Sequence, residues 1–292
     1  MNAEKLKMIR KLVIIAMFGD DDLMDMFVLK GGSAIEFAYK IDARASVDVD
    51  LSMEEDIPEE KLQEVSNKIE RSLIRVFQEE GYVVFDFKFI PKPEKRREGL
   101  RDFWGGYAIE FKILPEVHRD ILNSDLHKAR KMAEVVGPKQ GKKLEIDISK
   151  YEYCDDTRTV EIDGYTVYVY TPEMLVIEKL RAICQQMPEY PINGRNKHPR
   201  PRDFYDIYVL MNNVVGISVP EYDLVKQVFA LKEVPIDLLK TIPLYREYHA
   251  GDLDSLRDTV PRNKEIEFNL YFDFVVNLVE RITGDKLVSQ VG

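Results

Sequence analysis

Strand-like runs stop at Tyr170 in this sequence, and beyond Thr171-Pro172 the hydrophobic spacing is helical only. A chain of 292 residues with such a change of pattern is expected to form two domains. The first, residues 1–155, reads as an α+β domain: a mixed sheet flanked by helices. The second, residues 156–292, opens on a hairpin and is mainly helical.

Leu6, Ile9, Leu12, Val13 and Ala16 recur at helical spacing over 4–18. A short apolar stretch, Met26–Leu29, then runs into Gly31-Gly32, and Ala34, Ile35, Phe37 and Ala38 line a second helix. Val47-Asp48-Val49-Asp50-Leu51 alternates with the period of a strand. Pro58 is placed at the first turn of a helix over 58–80, with Leu62, Val65, Ile69, Leu73 and Val76 in one stripe. Strands are expected at 82–90, 103–113 and 143–149, and a helix at 115–135. In the second half a hairpin, Thr159–Ile162 and Tyr165–Tyr170, turns at Asp163-Gly164. Helices follow at 172–187, 201–213, 220–231, 235–246 and 264–282, the first opened by the cap Thr171 and by Pro172.

The longest apolar run, Leu12–Phe18, is far short of the roughly 20 residues that cross a bilayer, so no membrane role is expected. The opening Met-Asn-Ala-Glu-Lys lacks the apolar region of a secretory signal, and Cys154 and Cys184 are too few for a disulfide framework. A reducing cytoplasm is the expected setting. Net charge is −10, so contact with RNA requires a local basic patch. Residues 92–101 (KPEKRREGLR) and 195–202 (RNKHPRPR) are the two candidates, and solvated loops have the same composition.

Chemistry concentrates in the first half. Gly31-Gly32-Ser33 lies between a strand and a helix, where unpaired backbone N–H groups favour an anion such as a triphosphate. A plain strand-to-helix turn uses the same residues. Asp48 and Asp50 leave one face of their strand and repel one another, which calls either for a cation or for a solvated edge. Asp147, with Glu145 on the same face of Leu144-Glu145-Ile146-Asp147-Ile148, favours the cation. If that strand lies beside the Asp48/Asp50 strand, three carboxylates suit Mg²⁺. Two such ions, about 3.5–4 Å apart, clamp the oxygens of an in-line displacement. The pattern thus predicts Mg²⁺, with Mn²⁺ as a substitute, held by Asp48, Asp50 and Asp147.

In order along the chain, Leu29-Lys30-Gly31-Gly32-Ser33-Ala34, Tyr39, Arg44, Ser46 and Asp48-Val49-Asp50-Leu51-Ser52 resemble the first motif of the AbiEii/AbiGii toxin nucleotidyltransferases. These belong to the DNA polymerase beta-type superfamily. Thr171-Pro172-Glu173-Met174-Leu175 through Glu178-Lys179-Leu180-Arg181-Ala182 resembles the family's lysine helix, and Arg202-Asp203-Phe204-Tyr205-Asp206-Ile207-Tyr208 its R-D-x-x-D segment. The resemblance implies transfer of a nucleoside monophosphate from an NTP, in some members onto tRNA 3′ ends, by a toxin with a separately encoded antitoxin. It also implies catalytic roles for Asp48, Asp50, Asp147, Lys179 and Asp203. Lys30, Gly31, Gly32, Ser33, Arg44, Lys179 and Asp206 are implied at the NTP, with the helical domain completing the cleft.

Local chemistry leaves other readings for some of these. Lys179 borders the stripe Val176, Leu180, Ile183 and Cys184, from which a lysine reaches either a cleft or water. Asp203 and Asp206 also suit a helix N-terminus, and Arg202 is spaced to pair with Asp206. No P-loop motif is present, and His118, His127, His198 and His249 form no zinc motif. The aromatic run 268–274 reads as core or interface. Two alternatives remain: nucleotidylation of a protein hydroxyl, and a catalytically silent fold serving as a binding partner.

Overall fold

The structure, a computed structural model, describes residues 3–41, 44–46, 48–93, 104–137, 140–190, 197–261 and 263–284. Residues 94–101 and 195–196 of the two basic segments therefore lie outside the described residues. The chain divides into two compact units. The first comprises Met1–Lys40 and Ser46–Val169, and the second Ile41–Ala45 and Tyr170–Gly292. Among the described residues no helix is long and apolar enough to cross a membrane.

The first unit is built on a seven-stranded mixed sheet. Its strands are β1 (Val28–Lys30), β2 (Val49–Ser52), β3 (Tyr82–Lys92), β4 (Gly106–Pro115), β5 (Leu144–Ser149), β6 (Thr157–Ile162) and β7 (Tyr165–Tyr170). The order across the sheet is β3-β4-β5-β2-β1-β7-β6. β2 runs parallel to β5, and β1 parallel to β7; β1 is antiparallel to β2, and β4 to both β3 and β5. The hairpin after residue 155 thus extends this sheet. Its turn takes positive φ at Asp163 and Gly164, as a two-residue hairpin whose twist matches the strands demands.

Alternation decides which residues face the core. Val49, Leu51, Ile146 and Ile148 are buried, and the acids between them leave the opposite face. Helix α1 (Ala3–Phe18) packs on α2 (Leu62–Glu79), where the Ser72 hydroxyl donates to the Ala16 carbonyl at 2.7 Å. The α2 stripe Val65, Ile69, Leu73 and Val76 is buried, and Phe77 meets Phe111 of β4 edge-on at 5.6 Å. Pro58 stands outside the helix: its ψ of 139° is extended, and Glu59–Lys61 form one 3-10 turn before α2 begins. Those three residues are exposed, so no buried stripe draws them into the α-helix.

The predicted helix 115–135 is broken into Arg119–Ser124 and Leu126–Met132. Asp125 is extended between them, and its carboxylate accepts from Lys128 N at 2.9 Å, restarting the helix as an N-cap. β3 bulges between Phe85 and Lys88 around Asp86, whose φ is +53°. Hydrogen bonds from Arg130, joined by Lys112, hold the Asp86 carboxyl down to about 2 despite partial burial.

In the second unit α3 (Pro172–Cys184) opens as expected, with Thr171 accepting from Met174 N at 3.1 Å. Met174, Leu175, Val176, Ile177, Leu180, Ile183 and Cys184 are all buried, so α3 is enclosed on nearly every side. It packs on α4 (Pro201–Asn213), and α4 packs on α5 (Phe268–Thr283) through Phe204 stacked on Phe272 at 4.9 Å. The aromatic run is thus core. The predicted helix 235–246 is interrupted by a 3-10 turn at Ile242–Tyr245, where Pro243 supplies no N–H donor.

Candidate active site

In the first unit the register of three strands builds a row of charged side chains. Lys30 of β1 lies opposite Asp50 of β2, and Asp50 opposite Asp147 of β5. Register partners share a face, and neighbouring strands are about 4.8 Å apart, so the Asp50 and Asp147 carboxylates emerge side by side. Asp48 precedes β2 and is exposed. Its carbonyl accepts from the hydroxyls of Ser33, at 2.9 Å, and Ser46, at 3.3 Å. Ser33 is fully buried, and its hydroxyl ties the glycine turn to the start of the acidic strand.

The turn itself is shaped around Asp50. Gly31 has a φ of +67°, and a Cβ there would lie 2.2 Å from Asp50 Oδ2. The backbone therefore approaches the carboxylate as only glycine permits. Gly31–Ser33 forms the first helical turn, which continues as a π-helical segment through Ala38, so its leading N–H groups have no carbonyl one turn earlier. Gly31→Ala is expected to cost about 1–3 kcal/mol, through strain at positive φ and displacement of Asp50. Urea denaturation checks this, and an unchanged midpoint would show that the turn relaxes around a methyl group.

A cation already contacts the acids. Lys92, the last residue of β3, donates to Asp147 Oδ1 at 2.5 Å and to Glu145 Oε1 at 3.0 Å. Partial burial opposes its charged form, but these two carboxylates raise its pKa. Lys30 lies 3.8 Å from the buried Glu152. The loop after β2 is held by Asp56, which accepts from the Tyr107 hydroxyl at 2.5 Å and pairs with Lys150. Among the described residues no three His, Cys, Asp or Glu side chains are gathered into a metal cage. Two carboxylates completed by substrate phosphates are a usual setting for Mg²⁺, and the all-oxygen pair Asp50 and Asp147 beside the Gly31 cradle fits that ion.

The second unit contains a buried ionic cluster. Lys179 of α3 donates to Asp206 Oδ2 at 2.6 Å and to Asp203 Oδ1 at 3.2 Å, both on α4. Arg44 grips Asp206 with two bonds, Nε to Oδ1 at 2.7 Å and Nη2 to Oδ2 at 2.6 Å. Arg200 Nε reaches Asp203 Oδ2 at 2.6 Å, and its backbone N–H donates to Nδ1 of buried His249 at 3.1 Å. Lys179, Asp203 and Asp206 are 7%, 6% and 2% exposed, so the lysine does not snorkel to water.

Burial works against the charges of Lys179, Asp203 and Asp206, and their partners outweigh it. Asp206 and Asp203 raise the Lys179 pKa. Arg200 and Lys179 hold Asp203 well below the carboxylate range, and Arg44 and Lys179 lower Asp206. Burial pushes His249 down to about 4, so it is neutral near pH 7. Arg202, expected to pair with Asp206, is exposed instead. In the second basic segment Lys197 donates to the carbonyls of Gln185 and Met187 at the C-terminus of α3, and His198 N donates to Gln186 Oε1.

Lys92 and Arg200 are the members that sequence reasoning did not single out. Both fall in segments with the composition of basic loops, and Lys92 lies 55 residues from the acid it binds.

A family model described as nucleotidyl transferase AbiEii toxin, type IV TA system, matches residues 14–273. The chain is also similar to a protein from H. pylori crystallised as a candidate nucleotidyltransferase. That pair is 14% identical over 98% of this chain and 97% of the other, with a TM-score of 0.49. An antigenic nucleotidyltransferase-like protein from Paracoccidioides brasiliensis is 16% identical over 84% and 91% of the two chains, with a TM-score of 0.42. ANT(2″)-Ia, crystallised with adenylyl-2″-tobramycin, is 12% identical over 79% and 98%, with a TM-score of 0.33. No curated protein matches the sequence.

Proposed function

From the premise that the chain belongs to the AbiEii nucleotidyltransferase toxin family, we propose that it moves a nucleoside monophosphate from an NTP onto an RNA hydroxyl, at the 3′ end of tRNA, as the toxin of a toxin–antitoxin or phage-defence pair. The observation that carries the chemistry is the register pairing of Asp50 with Asp147 beside the Gly31 turn. In this reading the protein acts in the cytoplasm, and a separate antitoxin protein restrains it.

Divalent ions, Mg²⁺ or Mn²⁺, supply charge neutralisation to the triphosphate and to the attacking oxygen when bound. Asp50 and Asp147 would hold them, and the exposed Asp48 carboxylate at the strand's start would have to turn in to join them. The acceptor oxygen forms a bond to the α-phosphorus as the bond from that phosphorus to the pyrophosphate oxygen breaks. Asp147 receives the hydroxyl proton. The amides of Gly31, Gly32 and Ser33, with Lys30, receive phosphate oxygens. In the second unit Asp203 and Asp206 keep the Lys179 ammonium charged. Arg44 and Asp206 hold one another in place within that unit.

A specific observation favours a protein acceptor as the second reading. Net charge is −10, and Lys197 and Arg200 of the basic segment are engaged internally, which leaves less positive surface for RNA. Purified chain is incubated with Mg²⁺ and each α-labelled NTP in the presence of total RNA and of cell protein. Label on RNA 3′ ends is the expected outcome. Label on protein alone selects the second reading, and no label on either with any NTP defeats the transfer itself.

A further inference from the structure

Lys92 does not merely sit near Asp147; its strand is built to deliver it there. The strand order places β3 two positions from β5, with β4 between them. On β4 the register partner of Lys92 is Gly106, and that of Asp147 is Ala108. Neither residue has a side chain beyond Cβ, so the lysine lies across β4 to reach the next strand. Gly105, with a φ of +118°, removes a further obstacle, since a Cβ there would lie 2.2 Å from the Lys92 carbonyl oxygen. The ammonium then bonds both acids of the polar face of β5, Asp147 at 2.5 Å and Glu145 at 3.0 Å.

We propose that Lys92 is a built-in counter-ion of the metal site, pairing with Asp147 in the absence of metal and having to be displaced from it before a divalent ion binds. The inference rests on the reading of Asp50 and Asp147 as metal ligands. Asp50 and Asp147 are like charges at adjacent register positions, and a nearby ammonium offsets their repulsion. The same ammonium occupies Oδ1, one of the two oxygens that Asp147 can offer to a metal ion at about 2.0–2.1 Å. Lys92 and Asp147 side chains are 45% and 41% exposed, so the pair is weak enough to exchange for a divalent ion. Lys92 therefore sets how much divalent ion the protein needs before NTP arrives, and it is a positioning residue rather than a catalytic one.

The test is binding of Mn²⁺ alone to the full chain, read from the loss of the free-ion electron paramagnetic resonance signal, without nucleotide. Lys92→Met is expected to bind Mn²⁺ about tenfold more tightly than the parent, the effect of removing one positive charge near the ion. Lys92→Arg, which keeps the charge, is expected to stay within about twofold of the parent. Asp147→Asn is expected to lose the site. If Asp147→Asn loses binding but Lys92→Met binds no more tightly than the parent, the counter-ion role is overturned and the metal-site reading stands. If neither the parent nor Lys92→Met binds Mn²⁺, or Asp147→Asn binds it as the parent does, both fall together.

Discussion

Asp50→Asn is expected to lower nucleotidyl transfer by about 10³-fold or more, while the unfolding free energy changes by no more than about 1 kcal/mol. The amide has the size of the carboxylate, so it keeps the close approach to Gly31. The core beneath is supplied by Val49 and Leu51 and is untouched. What is lost is one of two neighbouring negative charges, and with it the ability of the Asp50/Asp147 pair to neutralise a divalent ion. On the proposed reading the loss falls on the transition state that this ion would stabilise, so activity drops far more than stability. Initial rates of label transfer, alongside urea denaturation of the same preparations, measure the two effects separately. A variant that keeps more than about a tenth of the parent rate would remove Asp50 from the chemistry.

The residues that form this site were readable to different depths. Asp50 and Asp147 declared themselves because each interrupts an alternating apolar run, and alternation assigns a face. Their adjacency was only an inference from pattern, because strand order depends on how β4 folds back between β3 and β5. Long periodic elements such as α1 and α2 needed no partner to be recognised, whereas Asp125 cut a predicted helix through one carboxylate-to-amide bond. The hairpin after residue 155 looked like the opening of the helical half, since nothing local says which sheet a hairpin joins. The AbiEii motifs were legible as an ordered series, and the family model spans the same segments.

Partners far apart in sequence were the hidden part. Arg202 stands four residues before Asp206 and is the obvious local partner, yet Asp206 takes Arg44 from 162 residues away and Lys179 from 27. A buried carboxylate needs desolvated cations that match its lone pairs, and an exposed neighbour one turn away offers little. The same reasoning applies to Lys179. Its place at the margin of an apolar stripe was compatible with water or with a cleft, and two acids on α4 settle that it is buried.

Lys179→Met should therefore be the most destabilising single change in this cluster, costing the second unit about 3–5 kcal/mol, because it strands charge in the interior. Methionine fills most of the volume, so the loss is electrostatic. Asp203 keeps only Arg200, and Asp206 only Arg44, among the cations bonded to them here. Asp206→Asn combined with Lys179→Met should recover part of that cost, and the double-mutant cycle should show coupling of about 1–3 kcal/mol. The pH dependence provides a second signature. Asp203 and Asp206 have folded-state pKa values below the ordinary carboxylate value near 3.9, so their contribution is complete above about pH 4 and is lost as pH falls through the depressed values. Lys179 has a raised pKa, so its contribution is complete below about pH 10 and is lost as pH rises through the raised value. Removing Lys179 lets both carboxylate values climb back, which moves acid unfolding to higher pH and abolishes the alkaline limb that this lysine supplies. Urea midpoints measured from pH 3 to pH 11 on parent and variant would follow both limbs. A loss below about 1 kcal/mol, with superimposable profiles, would mean that Arg44 and Arg200 alone satisfy the two acids.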